Sequence, residues 1–332
     1  MSAAEQKLAA LAAKNSGVLT YAQIADFALY DPECGYYCKR KTRVGARGDF
    51  FTSVSLKEGV FGEAVMCALK KILRGAGISP DASDFVEIGA EPEKQALSGA
   101  RAIRLGDAIE LRGCAAVFAN ELPDARPADR FVFDGKSWRK AAFEFGAAGE
   151  RREILLPSTP KEGAFLDKNF PKARVKNFKI DISFDALRMF ADICAQPWRG
   201  AIVFADYFRS AEEISEMPAG TLRTYFRHSQ SGEIFANLSD ADITYSPCSD
   251  LFAGIARSFG FSAAAQTQES FILEFAGELA QEIISSPDLF DPRKRELCQL
   301  INPAHMGACF RILRCARAQP PREVRGLSEL GL

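Results

Sequence analysis

The stretch FVEIGAEPEKQ, Phe85 to Gln95, is an apolar run that stops at a glycine. Consecutive hydrophobic positions are how a strand buried on both faces reads, and a terminal glycine lets the backbone turn with positive φ toward a ligand. The run predicts a parallel strand feeding a binding turn. The residues after it point the other way. Gly89 is followed by Ala90, Glu91, Pro92 and Glu93, where a cofactor turn wants more glycines and free amides. Pro92 fixes its φ and has no amide to donate.

Three further runs, RAIRL, CAAVFANE and AIVFADYF, have the same buried-strand character. Together they predict an α/β fold with a parallel sheet. FVFDGKSWRKAAFEF and REILLP alternate apolar and polar residues around Asp134-Gly135, a pair suited to a tight turn, so an antiparallel hairpin is expected as an insertion at about 130–180. A helix is expected in the N-terminal 17 residues. Another opens at Thr20 with a Thr20/Gln23 capping box, and a third runs from a Ser55/Glu58 pair to Gly75. Later helices are expected in SFDALRMFADICAQ, SDLFAGIARSFG, SFILEFAGELAQEIISS and DPRKRELCQLI, with a closing strand in ACFRILRCA. This divides the chain into a helical and loop region at 1–80, packed on the core, and an α/β domain at 81–332.

Composition narrows the function classes. Lys and Arg total 42 against 43 Asp and Glu, so no global positive field holds nucleic acid or an anionic membrane. The basic run Cys38 to Asp49 reads as a solvated loop. No signal peptide or membrane span is read, and a cytoplasmic location is expected. Nine scattered cysteines include one close pair, Cys34 and Cys38, with no second pair or nearby histidine, so no metal site is expected.

In a parallel sheet the ligand sits beyond the carboxyl ends of the strands. That singles out Glu87 and Gly89, Asn120 and Glu121, Asp206 and Tyr207, with Gly106 and Asp107 as a further end. Polar residues there also cap following helices. DPECGYYCKR, GARGDFFTSVS with VFGE, FANELPDARPADRFVFDGKSWR, GTLRTYFRH and PAHMGACFRIL occur in that order. Collinear from Tyr21 to Arg314, they resemble the MidA family of SAM-dependent methyltransferase-like proteins. The resemblance implies a class I, Rossmann-like methyltransferase fold with extra N-terminal helices. It also implies SAM as the cofactor and a protein substrate or partner; mitochondrial members methylate an arginine of a respiratory complex I subunit. By position, Gly48, Asp49, Phe50, Phe51, Thr52 and Ser53 fall in the cofactor-side loop, with Glu87 and Gly89 at the first strand. Asn120, Glu121 and Asp124 fall in the substrate-orienting segment. Glu121 reads equally as a structural partner of Arg126 or Arg130.

The chain departs from that pattern in three places. GAEPE stands where the family has a glycine-rich turn. Only 25 residues, 90 to 114, lie between Gly89 and the next long strand at Ala115. A strand-helix-strand unit needs about 30, so the central sheet is expected to be truncated, with the family's second strand and its ribose-binding acid lost. DITYSPCSD replaces a histidine-bearing segment, keeping Asp242 and Thr244 and offering Asp250. His228 and His305 match family positions but stand beside no nucleophile. The expected function is therefore a protein of this fold with degenerate or lost SAM binding that acts through protein interaction or assembly. The alternative is an active SAM-dependent protein arginine methyltransferase.

Overall fold

The computed structural model describes residues 2–39, 53–90, 95–146 and 149–321. Six strands form the central sheet: β1 Asp84–Ile88, β2 Arg101–Ile103, β3 Gly113–Asn120, β4 Trp198–Asp206, β5 Ser262–Thr267 and β6 Arg311–Arg317. Their order is β5-β6-β4-β3-β1-β2. The strands β1 to β4 are mutually parallel, β6 lies antiparallel to β4, and β5 lies antiparallel to β6.

The predicted strands are all present, and their unbroken apolar runs have a simple cause. Side chains alternate across a strand, and both faces here are covered. Ala116, Phe118, Ala201, Val203 and Ala205 share one core with the helix Val60–Gly75 and the C-terminal helices. Val117, Ala119, Ile202 and Phe204 share another with the helices Phe184–Ala195 and Ser249–Ser258.

Truncation of the sheet is observed, with one correction to where it falls. Arg101–Ile103 pairs directly beside β1, in the second strand's place. What is missing among the described residues is any strand outside it. The exposed margin is closed locally instead. Gln95 Nε2 donates to the Ala100 carbonyl, and the Asp107 carboxylate accepts from Arg104 N while Asp107 N donates back to the Arg104 carbonyl. These contacts use up edge groups that would otherwise recruit a foreign strand.

A second, five-stranded sheet carries the expected hairpin, Asp129–Phe133 to Trp138–Phe145, turning at Asp134-Gly135. It also takes in Val18–Thr20 from the N-terminus, as well as Arg151–Pro157 and Lys179–Ile182. A third small sheet, Arg223–Phe226 with Ser229–Ser231 and Asp242–Thr244, was not anticipated. Its strands are too short to leave a periodic signal. The N-terminal helices pack against both sheets in one core that joins Leu19, Ile24 and Phe27 to Val132, Leu222 and Ile243.

The Thr20/Gln23 capping box forms as read. The Ser55/Glu58 one does not, because the helix begins only at Val60. Its first amides are served from the far end of the chain, where buried Glu296 accepts from Glu58 N and Val60 N at 2.7 Å each. The segment SFILEFAGELAQEIISS is two helices, Gln268–Phe275 and Gly277–Ser285, separated by non-helical Ala276.

Candidate functional site

The chain leaves β1 toward β2 on one side and then returns to β3 on the other. This is the topological switch at which α/β sheets bind ligands. The carboxyl ends of β1, β3 and β4 open there together.

At the β1 corner, Gly89 has φ +77, the turn the sequence required. Its surroundings are occupied. Gly89 N and Ala90 N both donate to the Ile103 carbonyl, at 2.9 and 3.3 Å. A Cβ on Gly89 would lie 3.2 Å from Leu122 Cδ1, so Leu122 packs against the turn. Glu87 is buried, and both its oxygens are engaged: Ala96 N donates to one at 3.0 Å and Leu97 N to the other at 2.8 Å. Burial raises its pKa, against the lowering effect of those two amides. The β2 end offers Arg104 where a ribose would call for an acid, and Asp107 is spent on Arg104's backbone. The described polar groups of this corner are thus engaged with one another. Glu91, Pro92 and Glu93 lie outside the described residues, as do Gly48, Asp49, Phe50, Phe51 and Thr52. Ser53 is buried, and its hydroxyl donates to Gln268 Oε1 at 2.9 Å. That bond ties the end of the GDFFTS segment to the C-terminal helices.

The β3 and β4 ends present a second constellation. Glu121 takes φ +48, a conformation costly for a residue with a Cβ. It is held there by its own amide, which donates to the Ala205 carbonyl at 2.8 Å. Asn120 Nδ2 donates to Glu121 Oε1 at 2.8 Å, and Asn120 Oδ1 is buried with no donor among the described residues. Asp124, Asp206 and Asp242 are only 5%, 0% and 6% exposed, which puts three carboxylates inside the protein near half-buried Glu121. Asp206 accepts from Asp124 N at 3.1 Å and Tyr207 N at 2.6 Å. The hydroxyl of Thr244 donates to Asp124 at 2.8 Å, and that of Tyr37 to Asp242 at 3.0 Å.

Burial is the first cause of a raised pKa in all four carboxyls. It lifts Asp124 to about 6 and Asp242 to about 7, with the Asp124 charge reinforcing the latter. Glu121 and Asp206 are pushed well above the usual carboxylate range by burial and then by Asp124.

Among the described residues, the cation whose charge acts on Glu121, Asp124 and Asp242 is Arg223. Arg223 lies over the Tyr207 ring, 5.0 Å from its centroid, and donates to Thr221 O, Ser246 Oγ and Tyr225 OH. Its strand is positioned from the second sheet. Buried Asp181 pairs with Arg130 at 2.8 Å and accepts from Thr221 N and Leu222 N, at 2.6 and 2.8 Å. Neither arginine named from the sequence meets Glu121, since Arg126 pairs with Asp185 and Arg130 with Asp181.

The structure thus brings together Asn120, Glu121 and Asp124, and adds Asp206, Tyr207, Arg223 and Asp242. Two of these, Asp206 and Tyr207, were visible as a strand end. The convergence of Asp242 and Arg223 had no local signal. Asp250 is elsewhere, accepting from Ala211 N at 2.7 Å, and His305 precedes a short helix.

A separate cleft of about 660 Å³ lies between the second sheet and the helices Tyr21–Tyr30, Pro160–Asn169 and Phe184–Ala195. It shares no lining residue with the carboxylates. Much of its charge is neutralised internally: Arg126 pairs with Asp185, and Lys140 with Asp129 and Glu162. Among the described residues, no group of three or more metal-ligating side chains could hold a metal ion, and no helix is long and apolar enough to cross a membrane.

Residues 101–265 match the family described as "Putative S-adenosyl-L-methionine-dependent methyltransferase". The structure is similar to that of a COG1565 superfamily member from Burkholderia thailandensis bound to S-adenosyl-homocysteine. The TM-score is 0.83 at 21% identity, over 98% of this chain and 93% of that one. A second crystal structure, of an uncharacterized COG1565 superfamily protein from the same organism, gives 0.78 at 20% identity, over 98% and 92%. No curated protein matches the chain in sequence. These likenesses establish the fold as α/β of the class I methyltransferase type.

Proposed function

We propose that this chain is a methyltransferase-fold protein that no longer holds SAM and acts by engaging a protein partner. The observation that carries the reading is the capture of the Gly89 and Ala90 amides by the Ile103 carbonyl, with Leu122 packed over the turn. Those amides are the donors that a cofactor at the end of β1 would use. The shortened segment after β1 supports the same reading, since among the described residues the strand on that side is three residues long and is followed directly by Arg104.

A second reading, an active SAM-dependent protein arginine methyltransferase, is favoured by Glu121. Its carboxyl sits at the switch point among other carboxylates, where a guanidinium would find charge-assisted hydrogen bonds. Calorimetric titration of the purified chain with SAM and with S-adenosylhomocysteine separates the two. Absence of binding heat for both is expected. Micromolar binding of either ligand sinks the first reading, and saturable transfer of labelled methyl groups to a protein would establish the second.

A further inference from the structure

The margin of a sheet ends in a row of unpaired backbone donors and acceptors, which recruits another strand unless something covers it. Several margins here carry such a cover. Gln95 and Asp107 close the β2 side of the central sheet, and on its β5 side Arg257 donates to the Ala263 carbonyl at 3.0 Å. At one margin of the second sheet, Lys179 N donates to the Pro218 carbonyl at 3.1 Å. The opposite margin of that sheet is Arg151–Pro157, seven residues long, whose inner side pairs with Trp138–Phe145.

The ladder's own bonds fix which groups of this strand point outward. Gly146 N donates to the Glu150 carbonyl at 2.9 Å, in register with the same ladder, while Phe145 N donates the other way, to the Gly17 carbonyl at 2.8 Å. Bonded and non-bonded pairs alternate along an antiparallel ladder, so Arg152, Ile154 and Leu156 bond inward. Arg151, Glu153 and Leu155 turn N–H and C=O outward, and Pro157 turns out its carbonyl alone. None of these outward groups meets a partner among the described residues. The strand is nonetheless held in shape, since Arg151 donates to Glu5 at 2.7 Å and the Tyr21 hydroxyl donates to Glu153 at 2.5 Å.

We propose that this open edge receives an extended segment of a partner protein, which joins the second sheet as a further strand. The inference rests on the partner-engaging reading above and gives it a surface. A row of alternating donors and acceptors is matched along its length by another extended backbone. The side chains set the segment's character. Ile154 and Leu156 are half-buried on one face of the strand, and Leu155 is 43% exposed on the other, so apolar residues at alternate positions suit the segment. Arg152 is exposed, with its pairing to Glu144 in solvent, and favours an acid at that end. A second copy paired about the middle of the open row would set Glu153 opposite its own counterpart, which like charges oppose.

The probe is a synthetic peptide alternating valine and threonine with a glutamate at each end, and the readout is hydrogen exchange resolved by residue. In the free protein, the amides of Arg152, Ile154 and Leu156 should exchange slowly and those of Arg151, Glu153 and Leu155 fast. At about ten times its Kd the peptide should slow the fast set about tenfold and leave the slow set unchanged. Leu155→Pro removes an outward donor without touching the inner ladder and should weaken binding about tenfold. A fully N-methylated peptide, which keeps the side chains and loses every donor, should not bind, and this control needs no variant to fold. The proposal is overturned by slow exchange of the outward amides in the free protein, by a peptide that slows both sets alike or neither, or by binding retained in Leu155→Pro or with the methylated peptide. A dimer that Leu155→Pro dissolves would also overturn it, assigning the edge to a second copy. Titration with SAM reads the earlier claim separately, so either can fail alone.

Discussion

Replacing Glu87 by Ala distinguishes a structural from a cofactor-binding acid at the end of β1. In the structure this carboxylate is an acceptor for the returning chain, taking Ala96 N and Leu97 N on separate oxygens. Leu97 is fully buried, so its orphaned amide finds no water and costs about 1 to 3 kcal/mol. Ala96 is partly exposed, and its amide recovers a water at a cost of ~0.5 kcal/mol. Relief of the buried carboxylate's own desolvation offsets part of this, and the cavity left by the side chain adds some back. The expected net loss is about 2 kcal/mol. Urea unfolding should show an earlier midpoint with an unchanged slope, since the surface exposed on unfolding is nearly the same. A control titration with S-adenosylhomocysteine should leave the midpoint of both proteins where it was. The reasoning is refuted if the variant loses less than about 0.5 kcal/mol, or if the parent is stabilised by S-adenosylhomocysteine and Glu87→Ala is not. The second outcome would make Glu87 a ligand.

Two other substitutions test the supports of the site. A Cβ at Gly62, on the helix Val60–Gly75, would lie 2.0 Å from the Ala96 carbonyl oxygen. Gly62→Ala should therefore cost about 1 to 3 kcal/mol by overpacking, read by thermal unfolding, with the 95–100 segment losing hydrogen-exchange protection first. Asp181→Ala leaves the Arg130 guanidinium buried without its partner and orphans the amides of Thr221 and Leu222. A loss of about 3 to 5 kcal/mol is expected, together with exposure of 221–226 to proteolysis at temperatures where β3 and β4 remain protected.

Much of the central sheet could be read locally. The strands β1, β3 and β4 announce themselves because both their faces are buried, which forces consecutive apolar residues. The turn at Asp134-Gly135 and the Thr20 cap are legible for a similar reason, in that the residues that need the geometry are the ones that supply it. Counting residues after Gly89 was enough to require a truncated sheet, because a parallel connection has a minimum length. It was not enough to say which strand survived. The pairing of Arg101–Ile103 with β1 is decided by which backbone groups meet, and three residues carry too little pattern to show it.

The site divides in the same way. Asn120, Glu121, Asp206 and Tyr207 could be named because a strand end is a local feature. That they meet Asp242, Arg223 and Tyr37 could not be read, since those residues are distant in the chain, and Glu296 caps a helix that begins 236 positions earlier. The sequence by itself determined five of the central sheet's six strands, all but β5, and the shortage of chain after β1, since burial and chain length act on consecutive residues. Only the tertiary structure decided that Ile103 takes the amides of the turn and that buried Asp124, Asp206 and Asp242 gather near Glu121. Hydrogen bonds and charges act through space, and their partners need no relation in sequence.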